Sequence, residues 1–462
     1  MSKEKKRLFN ERLTRYQATI ALESTDRMIV GGTGSNYFAE AFAGYSRQET
    51  IYDGSKWLAT LSRFAESFPK VDLLRTSRSV WAPLVDAVGY RLFKIPGRDL
   101  PPDIEFQYVE EEWMKIDDYD LLIRNLVQFM MERYLPRVLA EFEERGSTRS
   151  YIAFLKGGMA YIMRAQQLKQ WSAHMEREYG LPSPLQGVTY APFDVLADKL
   201  RGLQGIMIDI HERPEKVIEA CNALIPHVVN TALAGADPLK RLPIFIPLHR
   251  GCHPFLSPRQ FDAFYWPSLK KVIMMLIEAG YTIRAYLEGD WTPNWHHYNE
   301  FPRGKIICDI DNKADIFRAK AEIGDTVCLG GGIPDSMFIL GTPEQVRSRV
   351  RQLCETVGKD GGLIINGGCA IPYDTRTENF RAYVEATLEY GRYSDTIIRP
   401  ELKPVPKPAP GRPALGLPPK TITPWDVKLE EMGGVTGDEA LIKNYWEMLE
   451  AQVYGWLLFW AW

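Results

Sequence analysis

The amino-acid sequence predicts an α/β fold, a TIM (β/α)8 barrel with an N-terminal helical layer and a C-terminal extension. The chain has 462 residues, which is roughly three times the length of an ordinary domain, and a single compact unit reaches that length as an α/β barrel with additions. From Arg241 onward, five β-then-α units follow one another with short loops between them. That succession is typical of a parallel sheet closed into a barrel.

Each of the five units begins with an apolar run and continues into an amphipathic helix. Strands are expected at residues 242–248, 281–287, 305–308, 326–329 and 363–365. The first helix is expected from Ser257 to about Ala279, because serine is a favourable N-cap and Gly280 ends the pattern. Later helices are expected from about Pro293, over 315–323, from Thr342 and over 376–390. An earlier unit is expected as a strand at 205–210 with a helix that begins at Pro214.

The chain divides into three parts. Residues 1–399 are expected to form the barrel with its N-terminal helices, which show helical periodicity near 8–22 and 119–142. Residues 400–420 contain eight prolines and are expected to form an extended linker. Residues 421–462 are expected to end in an aromatic helix from about Asp438.

The aromatic tail is expected to pack on protein, across a homodimer, because so much apolar surface is unusual on a soluble monomer. The linker is long enough to carry the tail to a second subunit. The residues expected near one stripe of its helix are Tyr445, Met448, Leu449, Gln452 and Trp456.

Composition excludes several classes of protein. The net charge is −3, so no global positive field attracts nucleic acid or acidic membranes. No apolar stretch approaches the ~20 residues of a membrane-spanning helix. Six cysteines are scattered without the spacing of a disulfide scaffold, which is typical of a reducing compartment. These observations predict a soluble cytoplasmic protein without nucleic-acid or membrane partners.

Catalytic groups in a parallel barrel come from the carboxyl ends of the strands. Glu288, His249 and Cys369 are of the residue types that form a zinc site with nitrogen, oxygen and sulfur ligands. The alternative is that Cys369 is a small buried residue and Glu288 a solvated carboxylate. The candidates at the strand ends are His249, Cys252, His253, Tyr286, Glu288, Asp290, Cys308, Asp309, Asp311 and Cys369.

Two glycine-rich segments are not expected to bind nucleotides. Gly31-Gly32-Thr33-Gly34 lacks the third glycine and the acidic residue of a dinucleotide-binding fingerprint. Gly330-Gly331-Gly332 is expected to let the backbone turn after its strand, and anion binding is the alternative.

Several longer segments make a resemblance specific. The sequence resembles the uroporphyrinogen decarboxylase superfamily over roughly residues 36–390. The superfamily fold is a TIM barrel, and its members include decarboxylases and zinc-dependent methyltransferases that work with corrinoid proteins. The segments that carry the resemblance are 106–110, 192–194 with 200–202, 205–207, 257–261 with 265–267, 341–344 and 366–374.

Two departures favour the methyltransferase branch. Nothing corresponds to the arginine-rich motif with which the decarboxylases grip propionate groups, and Gly368-Cys369-Ala370 replaces their Gly-His-Gly segment. The resemblance to the coenzyme M methyltransferases implies that Cys369 is a zinc ligand. Their His-x-Cys pair falls on Tyr286-Leu287-Glu288, where only Glu288 is a plausible ligand. His249 is the first choice for the third ligand.

His253 and Asp309 are the next choices for the third zinc ligand.

A carboxylate in place of a thiolate leaves the zinc harder and more Lewis-acidic, which suits an ether oxygen better than a thiol. The chain is therefore expected to move a methyl group from an aryl methyl ether to the cobalt of a corrinoid (cobalamin-type) partner protein. This chemistry resembles the O-demethylase systems of anaerobes.

Other residues are assigned to catalysis or to substrate binding. Tyr286 and Asp290 are expected to orient the substrate or to protonate the leaving oxygen. His253, Asp309 and Asp311 are expected to bind a small methylated, aromatic substrate. Two alternatives remain open: a decarboxylase or lyase acting on a carboxylated ring compound, and a barrel that binds a small molecule without turnover.

Overall fold

A computed structural model describes residues 1–23, 25–31, 36–78, 80–368, 370–393 and 420–461. Within these ranges the chain has a parallel α/β barrel, as the sequence predicts. Cys369, Gly32 to Gly34 and all of the expected 400–420 linker except Lys420 lie outside the described residues.

The strands of the described residues are β1 (Ile29–Val30), β2 (Phe93–Lys94), β3 (Gln107–Tyr108), β4 (Ile244–Leu248), β5 (Ile283–Leu287), β6 (Ile306–Ile310), β7 (Cys328–Ile333) and β8 (Leu363–Gly367). The main sheet has six parallel strands in the order β1-β8-β7-β6-β5-β4. A separate antiparallel pair is formed by β2 and β3.

Two further extended segments complete the ring. Leu73 pairs in parallel with Gly31, and Val188 pairs in parallel with Phe245. The amide of Leu74 donates to the carbonyl of Pro182 over 3.1 Å, which connects the Leu73 segment with the chain six residues before Val188. The described residues therefore supply eight extended segments around the barrel, the number of a TIM barrel.

Helices surround the barrel and build the N-terminal layer. The α-helices that precede the Val188 segment are Lys3–Ile20, Phe38–Ala43, Arg47–Tyr52, Gly54–Ser67, Ala82–Val88, Tyr119–Arg124, Leu126–Phe129, Leu135–Val138 and Thr148–His174. Those that follow are Pro192–Asp194, Gly202–Glu212, Pro214–Gly235, Pro258–Gln260, Trp266–Glu278, Ile316–Ile323, Asp335–Leu340, Pro343–Glu355, Thr377–Tyr390, Trp425–Glu431 and Glu439–Ala461. The π-helical segments are Met130–Tyr134, Met175–Tyr179, Val195–Leu200 and Phe261–Tyr265, and the 3-10 segments are Ile116–Asp118, Ala140–Phe142 and Trp295–Glu300.

The expected strand at 205–210 is wrong, because these residues lie in the helix Gly202–Glu212. Its buried side chains Ile206, Asp209 and Ile210 recur at helical spacing, while Ile208 is 51% exposed. A strand would place Ile206, Ile208 and Ile210 on one face.

One end of the barrel is closed by the first helix, Lys3–Ile20. Tyr16 and Ile20 of this helix pack on apolar side chains near the start of the strands, among them Ile29 and Ile364. The opposite end, where the strands finish, is left for polar side chains.

The helix Pro214–Gly235 is long and apolar enough to cross a membrane by length and composition, in contrast to the expectation from the sequence. Half of its apolar window is buried inside the fold. That burial is the behaviour of a core helix.

Candidate active site

Parallel pairing brings the ends of β4, β5 and β6 to one level. Leu248 pairs with Leu287, and Leu287 pairs with Ile310. The next residues along the three strands are His249, Glu288 and Asp311, so these side chains project from one rim of the barrel. The barrel therefore brings His249 close to Glu288 and Asp311, which follow it by about 40 and 60 positions in the chain, as expected from their places at strand ends.

His249 lies between two carboxylates. Its Nδ1 donates to Oδ2 of Asp198 over 2.6 Å, and its Nε2 lies 3.6 Å from Oε2 of Glu288. The Asp198 side chain is 9% exposed and the Glu288 side chain 51% exposed. The buried carboxylate therefore fixes the ring orientation, and the opposite nitrogen faces the open mouth.

A π-helical segment supplies this buried carboxylate. Asp198 lies in the segment Val195–Leu200, which begins directly after Asp194, and all six residues of this segment are buried. Its Oδ1 accepts from Nε of Arg250 over 2.6 Å, and Arg250 also donates to Glu110. A widened helical turn of this kind is common at functional sites.

Asp194 holds the loop that carries His249. Its carboxylate accepts the backbone N–H groups of His249 and Arg250, each over 3.0 Å, and the hydroxyl of Tyr265 over 2.7 Å. Burial raises the pKa of Asp194 to about 6, and the charge of Asp198 acts in the same direction.

The protonation of His249 is set by these neighbours. Burial favours the neutral ring, but the hydrogen bond to Asp198 and the charges of Asp198, Asp194 and Glu288 outweigh it and raise the pKa of His249 to about 9. Burial also acts to raise the pKa of Asp198, yet the contacts with His249 and Arg250 lower it overall. In the absence of a metal, His249 is thus an imidazolium paired with carboxylates.

Tyr286 and Asp311 form a second polar pair next to the His249–Glu288 pair. The hydroxyl of Tyr286 donates to Oδ2 of Asp311 over 2.9 Å. Tyr286 is on the same face of β5 as Glu288, two residues deeper, and is 5% exposed. Tyr286 therefore lies beneath the His249–Glu288 pair, and its hydroxyl reaches Asp311 at the level of that pair.

Asp309 is deeper still and its carboxylate is engaged by Arg284. Nε and the NH2 group of Arg284 donate to its two oxygens over 2.6 and 2.8 Å, and both side chains are buried. Asp309 therefore lies inside the barrel rather than at its mouth, and its predicted part in substrate or metal binding stays a prediction.

His253 and Asp290 are neighbours at the outer rim. The amide of His253 donates to the carbonyl of Asp290 over 2.8 Å, and Oδ1 of Asp290 accepts the amide of Thr292 over 2.9 Å. His253 is exposed. The structure brings these two together through the backbone.

His249 and Glu288 are spaced as two ligands of a zinc site. Two ligand atoms about 2.1 Å from a tetrahedral zinc lie ~3.4 Å apart, close to the 3.6 Å between Nε2 of His249 and Oε2 of Glu288. A zinc-binding histidine also usually donates its other N–H to a carboxylate, as His249 does to Asp198. Among the described residues no group of three or more His, Cys, Asp or Glu side chains is arranged to hold a metal; Cys369, the predicted further ligand, is not among them.

Sequence reasoning missed Asp194, Asp198 and Arg250. Two of them were near at hand in the sequence, since Asp194 ends the Pro192-Phe193-Asp194 segment and Arg250 follows His249. Two acidic residues four apart, after a strand that ends near Tyr190, are the available signal. Alternation along strands could not find them, because they lie on helical turns.

Comparisons with known proteins agree with this architecture. The family model "Uroporphyrinogen decarboxylase (URO-D)" matches residues 164–390. Uroporphyrinogen decarboxylase of Psychromonas ingrahamii is 36% identical over 138 residues, and that of Pseudoalteromonas translucida is 31% identical over 137 residues. Each match covers 29% of this chain and 38% of the relative, so the chain spans well under half the length of these curated proteins in the matches.

A solved structure extends the likeness to the whole barrel. The methyltransferase from Methanosarcina mazei superposes with a TM-score of 0.56 at 16% identity, over 82% of this chain and 98% of that one. At this identity the likeness concerns the fold, which is the predicted α/β barrel. The superposition confirms the barrel fold, and the family match confirms the resemblance expected from the sequence: residues 164–390 match the model of the uroporphyrinogen decarboxylase family.

Proposed function

We propose that the protein is an enzyme, a methyltransferase that moves a methyl group from a methylated small molecule to the cobalt of a corrinoid protein. An aryl methyl ether is the preferred donor and zinc the Lewis acid. The observation that carries the proposal is the pairing of His249 and Glu288 at 3.6 Å, with Asp198 fixing the histidine ring. The Methanosarcina neighbour, named a methyltransferase, supports the same class.

His249 and Glu288 would hold the zinc together with Cys369. When bound, zinc supplies Lewis acidity toward an ether oxygen, which makes the phenolate a better leaving group. The Glu288 carboxylate is a harder ligand than the thiolate of the thiol-specific branch. Asp198 keeps Nε2 of His249 directed at the mouth and strengthens it as a donor.

Tyr286 and Asp311 act on the substrate beside the His249–Glu288 pair. Because the Tyr286 hydroxyl donates its hydrogen bond to Asp311, its oxygen is fixed in direction and can orient a polar group of the substrate as an acceptor. Asp290, at the outer rim, is the residue proposed to return a proton to the phenolate oxygen.

The reaction balances without an external oxidant or reductant. The bond between the methyl carbon and the ether oxygen breaks, and both of its electrons stay on the oxygen. Reduced cobalt supplies the electron pair of the new carbon–cobalt bond, so the cobalt is formally oxidised by two electrons. The phenolate then takes up one proton.

The test is methyl transfer to chemically reduced free cobalamin. We expect anisole or guaiacol to convert the Co(I) absorption spectrum into that of methylcobalamin in the presence of the zinc-loaded protein. Glu288→Gln should abolish the conversion, while Glu355→Gln, an exposed carboxylate paired with Arg351 on an outer helix, is the matched control.

The donor panel separates the parts of the proposal. Transfer from dimethyl sulfide or trimethylamine, with none from an aryl ether, would refute the ether preference and retain the methyltransferase class. No transfer from any donor would leave the two alternatives, of which the decarboxylase has the support of the names of the curated relatives. Release of CO2 from a carboxylated ring compound would identify that activity.

A further inference from the structure

Arg250 joins the carboxylate that orients His249 to a distant part of the chain. Its Nε donates to Oδ1 of Asp198 over 2.6 Å, and its NH2 group donates to Oε2 of Glu110 over 2.7 Å. The side chain of Arg250 is 15% exposed and that of Asp198 is 9% exposed. The guanidinium is therefore held between two carboxylates at the edge of the barrel mouth.

Asp198 uses one oxygen for each of two partners. Oδ2 accepts from Nδ1 of His249 over 2.6 Å, and Oδ1 accepts from Arg250 over the same distance. Charge-assisted bonds to both oxygens fix the rotation of a carboxylate about its last carbon–carbon bond, which one bond alone does not. The direction in which Asp198 meets the imidazole therefore depends on Arg250.

The position of Arg250 is itself fixed by the fold. Its backbone N–H donates to Oδ1 of Asp194 over 3.0 Å, and its guanidinium lies 4.9 Å from the ring centre of Phe255. Backbone and side chain are thus held independently of each other.

Glu110 forms the outer end of this chain of contacts. While Oε2 accepts from Arg250, Oε1 accepts the backbone N–H of Leu203 over 2.7 Å. Leu203 lies in the helix Gly202–Glu212, which follows the π-helical segment of Asp198. The contacts therefore close a ring that returns to the element from which it started.

A second arginine bridges the same two parts of the chain without touching Asp198. Arg201 pairs with Glu112, and its Nε donates to Oδ2 of Asp209 over 2.6 Å. Attachment of the segment around Glu112 to the barrel is thus not specific to Arg250. The contact with Asp198 is what distinguishes Arg250.

We propose that Arg250 is a positioning residue for the metal ligand His249 and acts through Asp198. Glu110 holds Arg250 in that role. A zinc-binding imidazole whose other N–H is bonded to a carboxylate is oriented and is a stronger donor. Arg250 extends this support by one residue, because it keeps the carboxylate from rotating away. The inference rests on the proposed function for the zinc, and the orientation of the imidazole is tested without metal.

The first experiment measures the zinc dissociation constant of the purified full-length protein by competition with a chromophoric chelator. Arg250→Met should raise it about 10- to 100-fold, the usual effect of losing an outer partner of a metal ligand. Because Arg250 acts through Asp198, the same substitution in an Asp198→Asn background should raise it by less than about threefold more. Arg241→Met is the matched control, since Nε of Arg241 donates to the buried Asp237 just before β4 begins.

Glu110 provides a milder variant, because its side chain is 35% exposed. Glutamine has one acceptor oxygen where Glu110 uses two, so Glu110→Gln loses one of its two contacts and should cause a smaller rise of the zinc dissociation constant. Glu112→Gln, in the same segment and paired with Arg201, should leave that constant unchanged.

The second experiment needs no metal. Selective ¹⁵N labelling of the histidines shows by NMR whether the Nδ1 proton of His249 is protected from exchange with water, as its hydrogen bond to Asp198 requires. The signal is assigned with His249→Gln. We expect protection in wild type and in Arg241→Met, and its loss in Arg250→Met.

Two results would overturn the inference: unchanged zinc affinity and Nδ1 protection in folded Arg250→Met, or an equal loss of zinc affinity from Arg250→Met with and without Asp198→Asn. If Arg250→Met does not fold, Glu110→Gln against Glu112→Gln decides through the same two measurements. Weaker zinc binding by the Arg250 variant, without methyl transfer to cobalamin by wild type, would refute the proposed function and leave the positioning role standing. A wild type that binds no zinc would refute the proposed metal, and the NMR measurement would then decide on Arg250.

Discussion

Gly330 shows how a single residue shapes the polar interior of the barrel. A Cβ at this position would lie 2.0 Å from Oδ1 of Asp309 and 3.4 Å from Nδ2 of Asn366. The carboxylate cannot move away, because Arg284 holds both of its oxygens. Gly330 thus makes room for the buried ion pair of Arg284 and Asp309. The three glycines lie within β7, whereas the sequence analysis expected them in a turn after the strand.

We expect Gly330→Ala to lower the free energy of unfolding by about 1–3 kcal/mol, because overpacking forces a buried pair apart. Chemical denaturation of the two proteins measures the difference. Gly437→Ala is the matched control, since nothing lies within 4 Å of an added Cβ there. Equal loss in both variants, or none in Gly330→Ala, would refute the role of Gly330.

At the scale of elements, the C-terminal helix Glu439–Ala461 packs on its own chain. Tyr454 is 3% exposed, and a hydrogen bond joins its hydroxyl to Nδ1 of His227 on the helix Pro214–Gly235. Trp456 lies against Gly158 and Phe154 of the helix Thr148–His174. The expected stripe is only partly buried, because Tyr445, Met448 and Leu449 remain exposed.

The contact with His227 predicts a pH-dependent stability. Burial lowers the pKa of His227 to about 4, below the ~6.5 of an unfolded chain, so the unfolded state takes up the proton first as the pH falls. The contribution of His227 to the free energy of unfolding is therefore complete above pH ~6.5 and is lost on acidification toward pH ~4. The loss is on the order of 2 kcal/mol at pH 5. His227→Asn should remove that part of the pH dependence between pH 7 and 5, measured by thermal unfolding. Parallel pH profiles of wild type and variant would contradict the prediction.

Elements with a clear apolar period could be predicted from the sequence, and the irregular ones could not. Ser257 caps its helix with its side chain and Gln260. The strands β5 and β6 overlap the apolar runs expected at 281–287 and 305–308, and β6 continues two residues further, to Ile310. Ile206 to Ile210 were misassigned because a short apolar run satisfies both periods. Asp198 was missed because a π-helical turn has no distinct sequence period.

The whole molecule exposes an unusual apolar surface on two helices that contact each other. Six large side chains on Thr148–His174 and Glu439–Ala461 are between 56 and 64% exposed. Together they present roughly several hundred Å² of apolar area, comparable with the ~800 Å² per partner of a standard interface. The six are Tyr151, Leu155, Met159, Tyr445, Met448 and Leu449.

We predict that a second copy of the chain covers this surface, which would form the homodimer expected from the sequence. Light scattering after gel filtration should give the mass of a dimer, and Leu155→Asp with Met159→Asp should give that of a monomer. Leu340→Asp, which is 74% exposed elsewhere, serves as the control for added charge. A wild-type monomer would argue that another partner, such as the corrinoid protein, uses the surface.

The pairing of His249 with Glu288 links every scale of the molecule, since the barrel places it, the π-helical segment orients it and the proposed chemistry depends on it. Elemental analysis of the purified protein tests it most directly. We expect about one zinc per chain in wild type and in the control His296→Ala, and strongly reduced zinc in His249→Ala, Glu288→Gln and Cys369→Ala. Wild-type protein without zinc, or equal zinc in the folded His249 and Glu288 variants, would contradict the assignment.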